Sequence, residues 1–234
     1  MENKTGKYIK YAIGEIVLVV IGILIALQIN NWNENRKAKT YENKVYKQIY
    51  DDVISDSLGI SNTINANEQA EVLMNRVLYD SIPLIAYDTI TKENQIDFPY
   101  GIFLTTWYAT FTNKKKGYEL FKALNSTKTE TDSLSFYIEY YYSSAFKNEN
   151  YSENLKSTTF INLREYQQKD WFLDLMLKRK LNPSYVDYIK NSDDFKTRVY
   201  DYKIFSILNY TADLHEQQEI AERLKKKIKN RLSE

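Results

Sequence analysis

Reactive side chains are scarce in this chain of 234 residues. It holds one histidine, His215, and no cysteine. No thiol nucleophile, disulfide or thiolate metal ligand can therefore be built. A single histidine cannot complete a zinc site or an H-E-x-x-H pair, so His215 reads as a surface or boundary residue. Asp51 and Asp52, like Asp193 and Asp194, are neighbours in sequence. On a helix such neighbours do not share a face, so they suggest capping and helix-face roles rather than a paired acid and base. No phosphate loop, nucleophile elbow or calcium loop occurs. Lys114, Lys115 and Lys116 form a short basic run of the kind found in solvated loops. Trp107 and Tyr108, with Tyr140, Tyr141 and Tyr142, could line a groove for sugar or peptide, although core and boundary packing uses the same side chains. The expectation is a protein without catalytic residues, cofactor or metal.

Composition narrows the class. The formal net charge is +1, which gives no electrostatic case for nucleic acid. Hydrophobic residues make up 43 % of the chain, too many for disorder. Only 6 glycines and 3 prolines are present, which favours long helices over a turn-rich sandwich. Tyrosine is abundant, at 21, and suits amphipathic core and boundary positions.

One element must organise the rest. From Tyr11 to Ile29 the chain reads YAIGEIVLVVIGILIALQI, and Ile16 to Leu27 is unbroken apolar sequence. About 20 such residues cross the hydrocarbon core of a bilayer. Tyr8 and Tyr11 at one end and Trp32 at the other match the aromatic belts of the two interfaces. Lys4, Lys7 and Lys10 would also suit a cleaved signal peptide, but no small-x-small cleavage site follows Leu27. The reading is a retained signal-anchor: tail 1–10, span 11–32, domain 33–234. Glu15, Gly22 and Ala26 share one helical face that could pack against another helix in the membrane. Glu15 lies near the start of the run, where it can also reach headgroups or pair with a lysine.

The segment KYIKYAIGEIVLVVIGILIALQINNWNENRK, residues 7–37, resembles the N-terminal signature of the DUF6090 family of Bacteroidota membrane proteins. The remaining chain is similar only in outline: a long first helix, a helical middle and a charged last helix. It differs in its short N-terminal tail and tyrosine-rich middle. The resemblance implies an inner-membrane location and this architecture, and no activity. It also brings in the O-glycosylation triplets of exported Bacteroidota proteins. Asp56-Ser57-Leu58, Asp80-Ser81-Ile82, Asp88-Thr89-Ile90 and Asp132-Ser133-Leu134 fit that pattern. With the short lysine-bearing tail, they favour a periplasmic domain, although Arg36, Lys37 and Lys39 follow the span and blur the charge rule.

Past Trp32 the apolar residues take up helical spacing. Tyr41, Val45, Ile49 and Val53 run with Tyr46, Tyr50 and Ile54, and Gly59 is a possible weak point. Pro83, Pro99 and Gly101 mark residues 81–101 as non-helical. Residues 102–111 suit a strand or a buried helix, and helical surroundings favour helix. A helix capped by Asp132 or Ser133 is expected through Phe146, another from Asn162, and a long last one from Ser192 to Leu232. The fold class is all-α: the transmembrane helix continues into a long-helix bundle with antiparallel first and last soluble helices. That arrangement carries Arg223, Lys225, Lys226, Lys227, Lys229 and Arg231 back towards the membrane as candidate headgroup contacts. The expected function is a non-enzymatic, membrane-anchored interaction or scaffold protein of the cell envelope, with lipids and a second copy or another envelope protein as partners. A ligand-binding sensory bundle acting through a partner is the alternative. A retained anchor predicts that alkaline carbonate leaves the chain in the membrane pellet. A mature N-terminus beyond Ala26, found by peptide sequencing, would overturn it.

Overall fold

The computed structural model describes residues 4–79, 101–125 and 133–233, with side chains from Tyr11 onward. Its first helix, α1, runs from Lys4 to Tyr79 without a break, 76 residues or about 114 Å at 1.5 Å per residue. Proline is absent from it. Gly59 does not weaken it; that position makes room for the Phe111 ring, which lies 3.1 Å from where a Cβ would stand. Among the described residues α1 is the one helix long and apolar enough to cross a membrane, and nothing in the fold covers that part. Residues 33–79 then serve as the spine of the bundle.

The other elements pack on the spine. They are α2 (Phe103–Thr106), α3 (Lys116–Asn125), α4 (Ser133–Gln167), α5 (Phe172–Met176), α6 (Pro183–Asn191), α7 (Asp193–Lys203) and α8 (Ala212–Leu232). The described residues contain no strand. A π-helical stretch, Ile204–Thr211, joins α7 to α8, so the expected last helix is continuous but not uniform. Ser192 caps its start by accepting from the Phe195 amide.

α8 runs antiparallel to α1. Arg231 pairs with Glu42, Gln218 bonds to Ser61, His215 lies against Glu68, and Lys203 pairs with Glu71. Each step forward on one helix is a step back on the other.

Two local expectations are corrected. Residues 102–111 form one turn of helix and then run extended, because the Thr105 and Thr106 hydroxyls both donate back to the Ile102 carbonyl and close the turn. Asn162 opens no helix: it lies inside the 35-residue α4, where no proline or glycine interrupts, and its amide donates to the Thr105 carbonyl. Pro183 is the first residue of α6, with Asn182 as its cap.

Two apolar cores stack along the spine. The membrane-proximal one gathers Val45, Ile49 and Val53 with Phe121, Ile138, Leu224 and Ile228. The distal one gathers Ile60, Ile64 and Met74 with Trp171, Phe195, Val199 and Tyr210. Gly117, at the start of α3, is pressed against the spine: a Cβ there would stand 2.8 Å from the Ile49 Cα, and backbone cannot give way. Gly117→Ala is expected to destabilise the chain by about 1–3 kcal/mol, against less than about 0.5 for exposed Lys116→Ala. Thermal unfolding of both variants in mild detergent, followed by circular dichroism, checks the contrast.

Candidate functional site

The sequence-flagged residues separate into distinct places. Glu15, Gly22 and Ala26 lie on the bare part of α1; no other atom comes within 4 Å of a Cβ built on Gly22. Tyr11 and Trp32 are exposed, and the Arg36 guanidinium stacks 5.2 Å over the Trp32 ring. The side chain of Tyr8 lies outside the described residues.

The α8 cations are partly used within the fold. Arg223 pairs with Glu219, Lys225 with Glu222 and Arg231 with Glu42, and Lys227 stands 4.3 Å over the Tyr137 ring. Lys226 and Lys229 point outward. Arg231 reaches Glu42, about 15 Å up the helix from Trp32, and Lys229 shares a cleft with Tyr50, about 27 Å up. The Debye length at physiological salt is about 8 Å. In a bilayer crossed by residues 11–32, an upright α1 would hold these charges clear of the headgroup field and a tilted α1 would bring them nearer.

Of the glycosylation-like triplets, Asp56-Ser57-Leu58 is interior to α1, and Asp56 is only 2 % exposed. Ser57, its hydroxyl acceptor, is half-buried and donates to the Val53 carbonyl at 2.8 Å. Residues 80–82 and 88–90 and Asp132 lie outside the described residues, while Ser133 is exposed at the start of α4. His215 is exposed, 3.3 Å from Glu68. Among the described residues, no group of three or more His, Asp or Glu could hold a metal ion.

The aromatic residues do not form one groove. Tyr141 and Tyr142 are buried in the proximal core, whereas Tyr108 packs on the distal one. Trp107 instead forms one wall of a recess of about 480 Å³. Ala66, Ala70, Leu73 and Met74 of α1 make the opposite wall, with Phe103, Leu104 and Tyr202 completing it. The Trp107 ring is 52 % exposed at the mouth. Two polar groups hold this shape. The Tyr202 hydroxyl donates to the Trp107 carbonyl at 2.7 Å and fixes the start of the extended segment. The Asn67 amide donates to Thr211 at 3.0 Å, and the Thr211 hydroxyl donates to the Ser206 carbonyl five residues back, within the π stretch. The sequence flagged Trp107 but not its wall; alanines 66 and 70, one turn apart, were the available sign.

Between the cores lies a buried polar layer. Asp56 accepts from the Asn113 amide at 3.0 Å, the Lys114 backbone N–H at 3.0 Å and the Tyr141 hydroxyl at 2.9 Å. One turn earlier Asp52 accepts from Gln48 and from the Gly117 N–H. These carboxylates anchor the chain entering α3. Burial pushes the Asp56 carboxyl above its ordinary value, against the pull of its three donors. Across the layer Asn148 donates to Gln217 at 2.6 Å, and Lys147 pairs with Asp213.

Comparison with protein-family models, curated proteins and solved structures finds no match.

The polar layer makes a prediction. Asp56→Asn replaces an acceptor facing three donors by a group that is half donor, so a loss of about 1–3 kcal/mol is expected near neutral pH. A carboxyl with a raised folded-state pKa binds its proton more tightly folded than unfolded. Its contribution is therefore most favourable below the ordinary value of 3.8 and declines as pH rises through the raised folded value. Melting curves of wild type and Asp56→Asn between neutral and mildly acidic pH should show the wild type gaining on the variant as pH falls. A gap that moves the other way contradicts the raised carboxyl.

Proposed function

We propose that this chain is a non-enzymatic, single-pass protein of the bacterial inner membrane, of the DUF6090 type, whose domain stands in the periplasm and holds another envelope component. The observation that supports this most is the unbroken α1. Residues 11–32 suit the bilayer, and the same helix carries both cores of the domain. Such an arm sets the distance and rotation of the bundle relative to the membrane. It presents the distal core, around Asn67 and Met74, about 50–60 Å from Trp32. Leu173, Met176 and Leu177 of the α5 region are exposed there and give a partner apolar surface. In the membrane, Glu15, Gly22 and Ala26 offer a face to a second copy. Lipids surround the span, and the α8 cations join the headgroups when α1 leans.

A second reading is a ligand-binding sensory bundle acting through a partner. The recess beside Trp107 supports it, because its volume falls in the range of small-molecule sites, roughly 300–1,000 Å³, and α1 forms one wall of it. A ligand there touches the helix that leads into the bilayer.

Orientation and association are tested on the full chain. Alkaline phosphatase fused after Glu234 is expected to be active, and a cytoplasmic reporter at the same point silent; the reverse result overturns the periplasmic placement. Crosslinking in native membranes, followed by purification in mild detergent, is expected to recover a second copy or a defined envelope protein. Gly22→Ile should weaken the self-crosslink. A chain recovered alone and uncrosslinked removes the scaffold reading.

A further inference from the structure

We propose that the recess beside Trp107, about 50–60 Å along α1 from Trp32, binds the hydrocarbon chain of a lipid that has left the bilayer, the acyl tail of a phospholipid or of a free fatty acid. The inference rests on the ligand-binding reading above and adds the class of ligand.

Three observations lead to it. First, the wall contains no charged residue among the described residues. Lys203, next to the lining Tyr202, is already engaged: its ammonium lies 3.3 Å from Glu71 and 2.6 Å from Asn75. Among the described residues the wall itself gives a charged group no partner, so the part of a ligand that enters it is uncharged. Second, the wall offers few polar groups, and two of them are engaged by the fold. The Tyr202 hydroxyl donates to the Trp107 carbonyl and the Asn67 amide to Thr211, and beside them stand only the exposed Gln69 amide and the Trp107 indole N–H. A sugar would leave its hydroxyls unpaired, and a peptide its backbone groups, each at a desolvation cost. A hydrocarbon brings no such demand. Third, the lining follows the axis of α1. Ala66 and Ala70 clear one face of α1, and the lining continues to Met74, about 12 Å along the helix. Phe103 and Trp107 face that strip. A slot between a strip of small and aliphatic side chains and an aromatic wall suits a flexible linear chain, and Met74 can adjust to its course. The polar end of the lipid then sits at the mouth, beside Gln69 and the exposed edge of Trp107.

The test uses the full chain in lipid nanodiscs. One sample receives a long-chain fatty acid carrying a diazirine; another has the diazirine in the acyl tail of the disc's own phosphatidylglycerol. After illumination, mass spectrometry maps the adducts. Adducts on Leu73, Met74 or Trp107 are expected, and the sample that gives them identifies the source. Ala70→Phe fills the slot and should lower recess adducts about tenfold, with Ala66→Leu as a second filling variant. Adducts on residues 16–27 provide the control and should persist. A neutral dye, N-phenyl-1-naphthylamine, is titrated in parallel. Dye bound in wild type, lost in Ala70→Phe and displaced by neither lipid, with no recess adducts, overturns the hydrocarbon assignment and leaves a ligand site of another class. Neither dye nor lipid bound at the recess overturns both the assignment and the ligand-binding reading.

Discussion

Hydrocarbon offers a backbone no hydrogen-bond partner, so residues 11–32 can cross a bilayer only as a helix with every internal N–H and C=O bonded within it. Nothing after Trp32 cancels that geometry. There is no proline, the glycines are single, and charged residues of good helix propensity follow at once. The helix therefore continues into water for another 47 residues, from Asn33 to Tyr79. There its stability comes from burying Val45, Ile49, Val53, Ile60, Ile64 and Met74 on one side. The order of every other element follows from which part of this spine it covers.

The two cores would be one apolar column if the chain did not have to enter between them. Residues 107–115 carry no regular structure among helices, beginning with an extended Trp107, and irregular backbone inside a helical bundle has no ladder partner. Side chains take that role. Asp56 receives the Lys114 N–H, Asp52 the Gly117 N–H, Asn162 bonds the Thr105 carbonyl and Tyr202 the Trp107 carbonyl. The cost is two carboxylates held by neutral donors at the core boundary. The gain is a fixed path that delivers Trp107 to the mouth of the recess.

The same distinction separates what could be read from the residues from what could not. The span, the amphipathic spine and the antiparallel last helix are written in local periodicity, which one chain displays on its own. The segment 107–115 is not, because its aromatic and β-branched residues suit strand or buried helix equally and its partners lie 28 to 95 residues away. Asn162 looked like a cap because asparagine often is one; its tertiary bonds to Thr105 and Arg198 carry no local sign. For the site, Trp107 stood out by type. The sequence could not tell that Tyr141 and Tyr142 belong to the other core, nor that two alanines on α1 make the space.

The π-helical stretch acts as a phase corrector. Inward-facing Tyr202, Ser206, Tyr210 and Leu214 are separated by three successive steps of four residues. In a regular α-helix each such step overshoots a full turn by about 40°, so Leu214 would point about 120° away from Tyr202. The wider turns of residues 204–211 absorb that excess and return the stripe to the spine before α8 begins. The join works like a differential between two gears: α7 and α8 keep their own sequence rhythm, yet both mesh with α1. Forcing these eight residues into ordinary helix at full length would rotate all of α8 and turn Leu224 and Ile228 away from the proximal core, whereas loss of a single residue would let the stretch relax with α8 still within about 20° of its present phase.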